Sequence, residues 1–365
     1  MDYKSVNKTS QSVLKITTPR EAEKYSIDGL NASFIARPAN ITDIRESLKF
    51  AAQDNLAITP WGGGTRITLG NVPKKLDMIL ETTRLDKIID HTPGDLTATV
   101  QAGITISDLQ KSLGKHGQFL PIDPPLANRA TLGGTLAVGT SGPFKWQYGS
   151  LRDTVIGIKI INANGILTKS GGQVVKNVSG YDMSRLHIGG LGTLGVIAEA
   201  SLKLTPLPLQ ETTLISDFTS LSSCFNAALG IFKSSLMPLA ITVINSEANS
   251  RMGSIETQGP WTLLVRLGGR PLTLQRMITD SRNIIHNNDF SQETMIDSDS
   301  SIPVWKSLSD FGWDEQTQPT LGIRVNVLPS TIPPLIKELV RLYGKNRIPP
   351  AIVAHPAHGT ILASW

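Results

Sequence analysis

The residues best placed to do chemistry here are glycines, which act through backbone. A strand-like stretch, Leu56–Pro60, runs into Trp61-Gly62-Gly63-Gly64-Thr65-Arg66. Without Cβ atoms, successive N–H groups of such a loop can converge on an anion with no basic side chain nearby. A simple turn is the other reading of the same three glycines. A second segment, Thr131-Leu132-Gly133-Gly134-Thr135-Leu136-Ala137-Val138-Gly139-Thr140-Ser141-Gly142, and a third, Lys176-Asn177-Val178-Ser179-Gly180-Tyr181-Asp182, follow further on. Of 32 glycines, 22 fall between Gly62 and Gly195, so close backbone approach concentrates in that stretch. Three such segments separated by short strands point to one extended ligand lying across backbone.

Gly190-Leu191-Gly192-Thr193-Leu194-Gly195 has the spacing of a dinucleotide fingerprint, and Glu211 sits at the distance of a ribose contact. That site requires a helix directly after the glycines. Val196–Leu204 instead alternates like a strand and ends before Pro206, so the hexapeptide is expected to serve a turn. Arg324 lies on a strand-like run, Ile323-Arg324-Val325-Asn326-Val327. A guanidinium buried there needs a carboxylate, supplied by the protein or by a substrate. His91, His116, His187 and His286 are isolated and read as surface or core residues.

The elements that position these residues change character near 206–210. Before that cut, Thr42 is expected to cap a helix carrying Ile44, Leu48, Ala51 and Ala52. Strands are expected at Met78–Glu81, Leu85–Asp90 and Leu96–Ala102, with a short helix at Ser107–Leu113. Val155–Ala163 and Ile166–Lys169 flank Asn164-Gly165, a strong hairpin signal. After Pro208, strands (Thr212–Phe218, Leu239–Asn245, Trp261–Leu267, Gly322–Leu328) mix with helices (Leu221–Ser234, Leu274–His286, Ile332–Tyr343). That order predicts an antiparallel sheet with helices on one face.

Composition narrows the field. Lys+Arg 35 against Asp+Glu 30 leaves +5, dispersed apart from Lys74-Lys75, and aromatics are 5%. No nucleic-acid stripe is expected from that pattern. One cysteine, Cys224, excludes an intramolecular disulfide and any cysteine-held cluster. No apolar run reaches the roughly 18 residues of a membrane helix, and Met1–Ile16 lacks a signal-peptide core. An intracellular, soluble, cytoplasmic protein is expected.

Taken together, the motifs resemble the flavin-linked oxidases with an FAD-binding domain of the vanillyl-alcohol oxidase and p-cresol methylhydroxylase type. The matching stretches are Pro60–Thr65, Gln101-Ala102-Gly103, Leu120-Pro121-Ile122-Asp123-Pro124-Pro125, Thr131–Gly142, Gly149–Asp153, Lys176–Asp182 and Gly190–Ile197. Within that family the chain is most similar to the FAD-binding subunits of bacterial glycolate oxidases. The resemblance implies an α+β fold: a lead-in over 1–36, a two-subdomain FAD-binding domain over 37–206, and a ferredoxin-like α+β cap over 207–365.

It also implies roles. Gly62, Gly63, Gly64 and Thr65 would hold the pyrophosphate, with Pro60 and Trp61 also among the cofactor-binding residues. Pro124, Thr131, Gly133 and Gly134 would line the ring side, with Thr140, Ser141 and Gly142 near it. Arg152 and Asp153 would pack against the cofactor, and Gly192 and Ile197 would offer backbone. Relatives that tether FAD covalently use a histidine in the first loop or a later cysteine. Here Thr65-Arg66 occupies the first place and no cysteine precedes Cys224, so non-covalent FAD is expected. Catalytic relatives carry His-Ala-Gly-Asp-Gly-Asn-x-His, involved in metal and substrate binding, where this chain reads His355-Pro356-Ala357-His358-Gly359-Thr360-Ile361-Leu362. The expectation is a degraded copy with no metal; His355 is a weak catalytic candidate and Arg324 a candidate carboxylate clamp.

The implied function is oxidation of glycolate to glyoxylate beside a related flavin-bearing catalytic subunit and an iron–sulfur subunit, with any membrane association made through those partners at the inner membrane. Two other functions stay open: a non-catalytic flavin-binding or electron-relay subunit, and a stand-alone D-2-hydroxy-acid dehydrogenase of the D-lactate type. The family continues with a Phe-Asn-Pro-Gly segment that these 365 residues do not contain, so the chain is expected to be a shortened member or part of a longer one.

Overall fold

The computed structural model describes residues 14–16, 18–172, 182–313, 319–344 and 348–365. Most of the third glycine-rich segment, Lys176–Tyr181, lies outside them. The chain divides into two compact units: residues 1–140 with 150–207, and 141–149 with 208–365.

The first unit holds two sheets. In the smaller, the strands lie in the order Leu14–Ile16, Phe34–Ala36, Met78–Glu81, Ile58–Trp61, the last three parallel. Helix Ile41–Gln53 supplies the crossover between Phe34–Ala36 and Ile58–Trp61. Its cap is Asn40, whose side chain accepts from the Asp43 N–H at 3.0 Å, and not Thr42. Residues 18–36 are not a loose lead-in. Thr18 and Glu21 close a capping box on helix Pro19–Lys24. Tyr25 is fully buried edge-on to Trp61, with ring centroids 5.1 Å apart, and Arg37 reaches Glu21 and Glu81 at 2.8 and 2.7 Å.

The larger sheet is antiparallel, in the order Ile88–Thr92, Thr97–Gln101, Val196–Lys203, Val155–Ile161, Leu167–Gly171. One core sets Val100, Ile158 and Leu202 with Leu109 of helix Ile106–Gly114 and with Leu132 and Leu136. A second joins Ile161, Val196 and Ala198 to Met78 and Leu80 and to Ile44 and Leu48 of helix Ile41–Gln53. The two subdomains therefore share the larger sheet, one on each of its faces.

The second unit is a seven-stranded antiparallel sheet in the order Phe290–Asp297, Gln210–Phe218, Trp261–Gly269, Ala240–Asn245, Ala351–His355, Thr360–Ser364, Gly322–Asn326. Helices cover both faces, not one. Leu214, Val243, Leu263 and Ile352 pack with Phe225 and Ile336 of helices Leu221–Lys233 and Ile332–Gly344. Their strand neighbours Ile215, Ile244, Leu264 and Val353 pack with Trp305 and Leu308 of helix Ser298–Asp310. The runs Leu263-Leu264-Val265 and Ala351-Ile352-Val353-Ala354 are apolar at consecutive positions, as strands buried on both sides must be. Helix Ser298–Asp310 escapes sequence reading because Pro303 interrupts its pattern.

Candidate functional site

Strand Ile58–Trp61 delivers the first glycine loop, and the loop is pressed from two sides. A Cβ on Gly63 would overlap the Arg129 carbonyl oxygen and come within 2.6 Å of its carbon. One on Gly62 would overlap Thr131 Oγ1. Gly64 has φ +68°, where side chains are disfavoured, and a Cβ there would sit 2.7 Å from the Trp61 ring. The packing thus demands glycine at all three positions. The N–H groups of Gly62, Gly63, Gly64 and Thr65 have no hydrogen-bond acceptor among the described residues. Four successive backbone donors without an acceptor call for water or an anion.

The second glycine segment is a helix, not a loop. Leu132–Val138 is helical, capped by Thr131, whose Oγ1 accepts from Gly134 N–H at 3.2 Å, and ended by left-handed Gly139. Its other leading donors are also used: Leu132 N–H goes to Ile104 O and Gly133 N–H to Ala102 O. Gly133 is glycine because a Cβ would stand 2.8 Å from that of Ala102. Sequence reading missed the helix because two glycines sit in its first turn, where helix propensity is poor.

Between the loop and this helix lies a cleft lined by Thr65, Arg66, Pro124, Pro125, Gly134, Thr135 and Thr140, among others. Thr135 Oγ1 is buried without a hydrogen-bond partner among the described residues. An orphaned buried hydroxyl costs about 1–3 kcal/mol, which a ligand acceptor or donor would offset. Bare amides at one end, missing Cβ atoms and this hydroxyl fit a phosphate-bearing cofactor laid across backbone. Thr135 has no role in the sequence reading, where Arg66 and Pro125 stand only within longer stretches. Thr135 was legible only through its helical offset of four from Thr131.

The structure brings many predicted positions together. Pro60, Trp61, Gly62–Thr65, Thr131 and Gly134 form or back the loop, and Pro124 and Thr140 line the cleft. Gly192, at φ +73°, faces the Pro60 ring. The fingerprint-like hexapeptide is a run of turns entering strand Val196–Lys203. It docks on the helix end through Leu191 N–H to Ala137 O at 2.8 Å. Ile197 is a buried strand residue in the core. Asp153 accepts from Ser150 N–H and Oγ–H at 2.8 and 2.7 Å, which holds its carboxyl below the usual range. Arg152 donates to Ile188 O at 3.4 Å. Asp153 thus serves its own helix, and Arg152 a neighbouring turn.

Ser141 and Gly142 belong to the second unit. There, Arg324 Nη2 donates to Ser141 O at 3.4 Å. The expectation of a buried Arg324 facing a carboxylate does not hold within the protein. Arg324 is exposed on the end strand of the sheet, and no carboxylate of the described residues pairs with it. The rest of the 141–149 segment is tied to this unit: Phe144 lies 4.8 Å from the Arg266 guanidinium and Trp146 packs on Phe232 at 4.7 Å. Tyr148 is half-buried, and partial burial together with the nearby Glu211 charge pushes its phenol up to about 12.

His355 and His358 close this end of the sheet, their rings 5.0 Å apart. His355 bonds Thr242 Oγ1 through Nδ1 at 3.0 Å and is held neutral by burial. His358 is pushed down to about 3 by burial and by the charges of Lys145 and Arg324. No third metal-ligating side chain joins the pair among the described residues. Cys224 is fully buried in the core, its thiol raised by burial. No helix among the described residues is long and apolar enough to cross a membrane.

Comparison with known proteins bears on the class of ligand and on the fold. A family described as FAD binding domain matches residues 32–171. Glycolate oxidase subunit GlcD of Bacillus subtilis is 29% identical over 248 residues, 66% of this chain and 53% of that protein. A D-lactate dehydrogenase of Archaeoglobus fulgidus is 28% identical over 233 residues, 64% of this chain and 50% of that one. The chain therefore spans about half the length of these curated relatives. A crystal structure of p-cresol methylhydroxylase with substrate bound matches with a TM-score of 0.76 at 13% identity, over 99% of this chain and 84% of that one, a likeness of fold.

Proposed function

We propose, on the match of residues 32–171 to a family described as FAD binding domain, that this chain is the FAD-binding subunit of a glycolate oxidase complex. In this reading it takes part in oxidising glycolate to glyoxylate and passes electrons to an iron–sulfur partner. The observation that carries the reading is the Gly62–Thr65 loop, whose four unaccepted N–H groups sit beside a cleft with an orphaned Thr135 hydroxyl. Gly62, Gly63, Gly64 and Thr65 would hold the pyrophosphate, and Pro124, Gly134, Thr135 and Thr140 would wall the cofactor. A bound flavin supplies a two-electron acceptor, and the protein supplies position and electrostatics. The similarity to GlcD supports glycolate as substrate. An electron partner is needed because the 365 residues contain one cysteine, too few for a cluster.

Attachment of the cofactor is non-covalent in this reading. Cys224 is locked in the second core, and Thr65-Arg66 offer no imidazole. The altered His355–Leu362 stretch favours one second reading, a flavin-binding or electron-relay subunit that does not itself turn over substrate. Anaerobic mixing of the purified chain with glycolate, and separately with D-lactate, distinguishes the cases through loss of flavin absorbance near 450 nm. Bleaching by glycolate supports the proposal. Bleaching by D-lactate alone replaces it with a D-lactate dehydrogenase. No bleaching even with partner subunits added leaves the relay reading.

A further inference from the structure

The segment 18–36 lines no part of the cleft, yet it supports the loop that does. Tyr25, Ile27 and Ile35 pack with Trp61 and Ile79 in a small core of their own. Ile67, directly after Arg66, packs against the same core. The stretch Gly62–Arg66 is thus a bridge, and both of its abutments, Trp61 and Ile67, rest on side chains that residues 25–35 supply. The Trp61 ring also underlies the loop itself, since a Cβ on Gly64 would stand 2.7 Å from it. Tyr25, fully buried, meets that ring edge-on at 75°. Polar contacts fix Tyr25 in turn. Lys24 Nζ donates to its hydroxyl at 3.0 Å. Arg37, 5.9 Å from the Tyr25 ring, bridges Glu21 of helix Pro19–Lys24 to Glu81. Glu81 is the register partner of Trp61 on the adjacent parallel strand. One guanidinium therefore fastens the helix before Tyr25 to the strand ends from which the glycine loop departs.

We propose that residues 18–36 are a buttress that presets the glycine loop for a pyrophosphate, with Tyr25 and Arg37 as its positioning residues. Three consecutive glycines have the most backbone freedom to lose on binding. Backbone donors hold an anion well only when they are aimed before it arrives, so fixing them in advance raises affinity without adding a contact. Tyr25 and Arg37 act through Trp61, and neither lines the cleft. The buttress rests on the reading of Gly62–Thr65 as a pyrophosphate site and extends it to a segment that no motif marked.

Titration of the full chain, freed of flavin, tests this with FAD and, by competition, with ADP, which shares the pyrophosphate but lacks the flavin. Each variant is read below its own melting temperature. Tyr25→Leu keeps apolar bulk and loses the ring, and it should weaken FAD and ADP by the same factor, about tenfold. Tyr25→Phe keeps the ring and should bind both within about twofold of the wild type. Arg37→Met breaks both ion pairs outside the core and should weaken both ligands about threefold, which covers a Tyr25→Leu chain that fails to fold. A folded Tyr25→Leu chain with wild-type affinities overturns the buttress, even if it melts earlier, because the segment is then structural only. One that loses FAD and keeps ADP overturns it too, since the effect then lies at the flavin end. The two readings fail separately. A wild-type chain that binds neither FAD nor ADP refutes the pyrophosphate site itself. Binding that Gly63→Ala weakens, while Tyr25→Leu and Arg37→Met do not, refutes the buttress alone.

Discussion

Substituting Gly63 by alanine probes the cradle most directly, because the added Cβ meets backbone and not a side chain that could swing away. It would overlap the Arg129 carbonyl oxygen and stand 2.6 Å from its carbon, whereas ordinary contact begins at 3.4 Å. Arg129 is itself fixed, its N–H bonded to Leu126 O at 2.8 Å. The loop must therefore yield. Overpacking of this kind costs about 1–3 kcal/mol of stability. The displaced loop also loses aim at a bound anion. One charge-assisted hydrogen bond is worth about 1.5–3 kcal/mol, so FAD affinity should fall roughly 10- to 100-fold. The assay is titration of deflavinated chain with FAD, followed by quenching of flavin fluorescence, alongside a circular-dichroism melt. Gly94→Ala is the control, since a Cβ there meets nothing within 4 Å, and it should leave both readouts unchanged. A Gly63→Ala chain that binds FAD with wild-type affinity and melts at the wild-type temperature would refute the cradle.

Three further outcomes are expected. Thr135→Val removes the orphaned hydroxyl, so the FAD-free chain should gain about 1 kcal/mol in thermal or urea unfolding, while FAD affinity drops roughly fivefold to tenfold; unchanged affinity would take Thr135 out of the cleft chemistry. His358, lowered in the fold from 6.5 to about 3, stays neutral where the unfolded chain binds a proton. Its contribution is therefore fully present above pH 6.5 and lost as pH falls toward 3, by as much as ~4 kcal/mol. His358→Gln should flatten that limb of a urea-unfolding series against pH, and an unaltered limb would contradict the buried neutral imidazole. Acid precipitation should release the flavin to the supernatant and leave a colourless pellet; a yellow pellet would mean a covalent bond.

Much of the first unit is written locally in residue type. Asn164-Gly165 specifies a hairpin between Val155–Ile161 and Leu167–Gly171, and it forms with Gly165 at φ +78°. The alternation after Gly195 specifies a strand, which is enough to set aside a dinucleotide site. Glycine runs reveal where backbone approaches closely, since no other residue tolerates it. They do not reveal what approaches. That the partner of Gly63 is the Arg129 carbonyl, and that Thr131–Gly139 is a capped helix packed on Ala102, depends on contacts far apart in sequence.

The second unit divides differently. Its strands and most helices follow from hydrophobic periodicity, but periodicity cannot say that both faces of a strand are covered until a sheet is assembled between two helical layers. Nor does any local pattern attach 141–149 to that unit; Phe144 on Arg266 and Trp146 on Phe232 do so across more than eighty residues. The likeness to FAD-binding oxidases is legible in sequence because its motifs are glycine-rich loops, and backbone freedom is encoded residue by residue. The proton on His358 and the charges around it were decided only by the fold. Hydrogen-bond direction and electrostatic field depend on distance and burial, and both exist only once the chain has closed on itself.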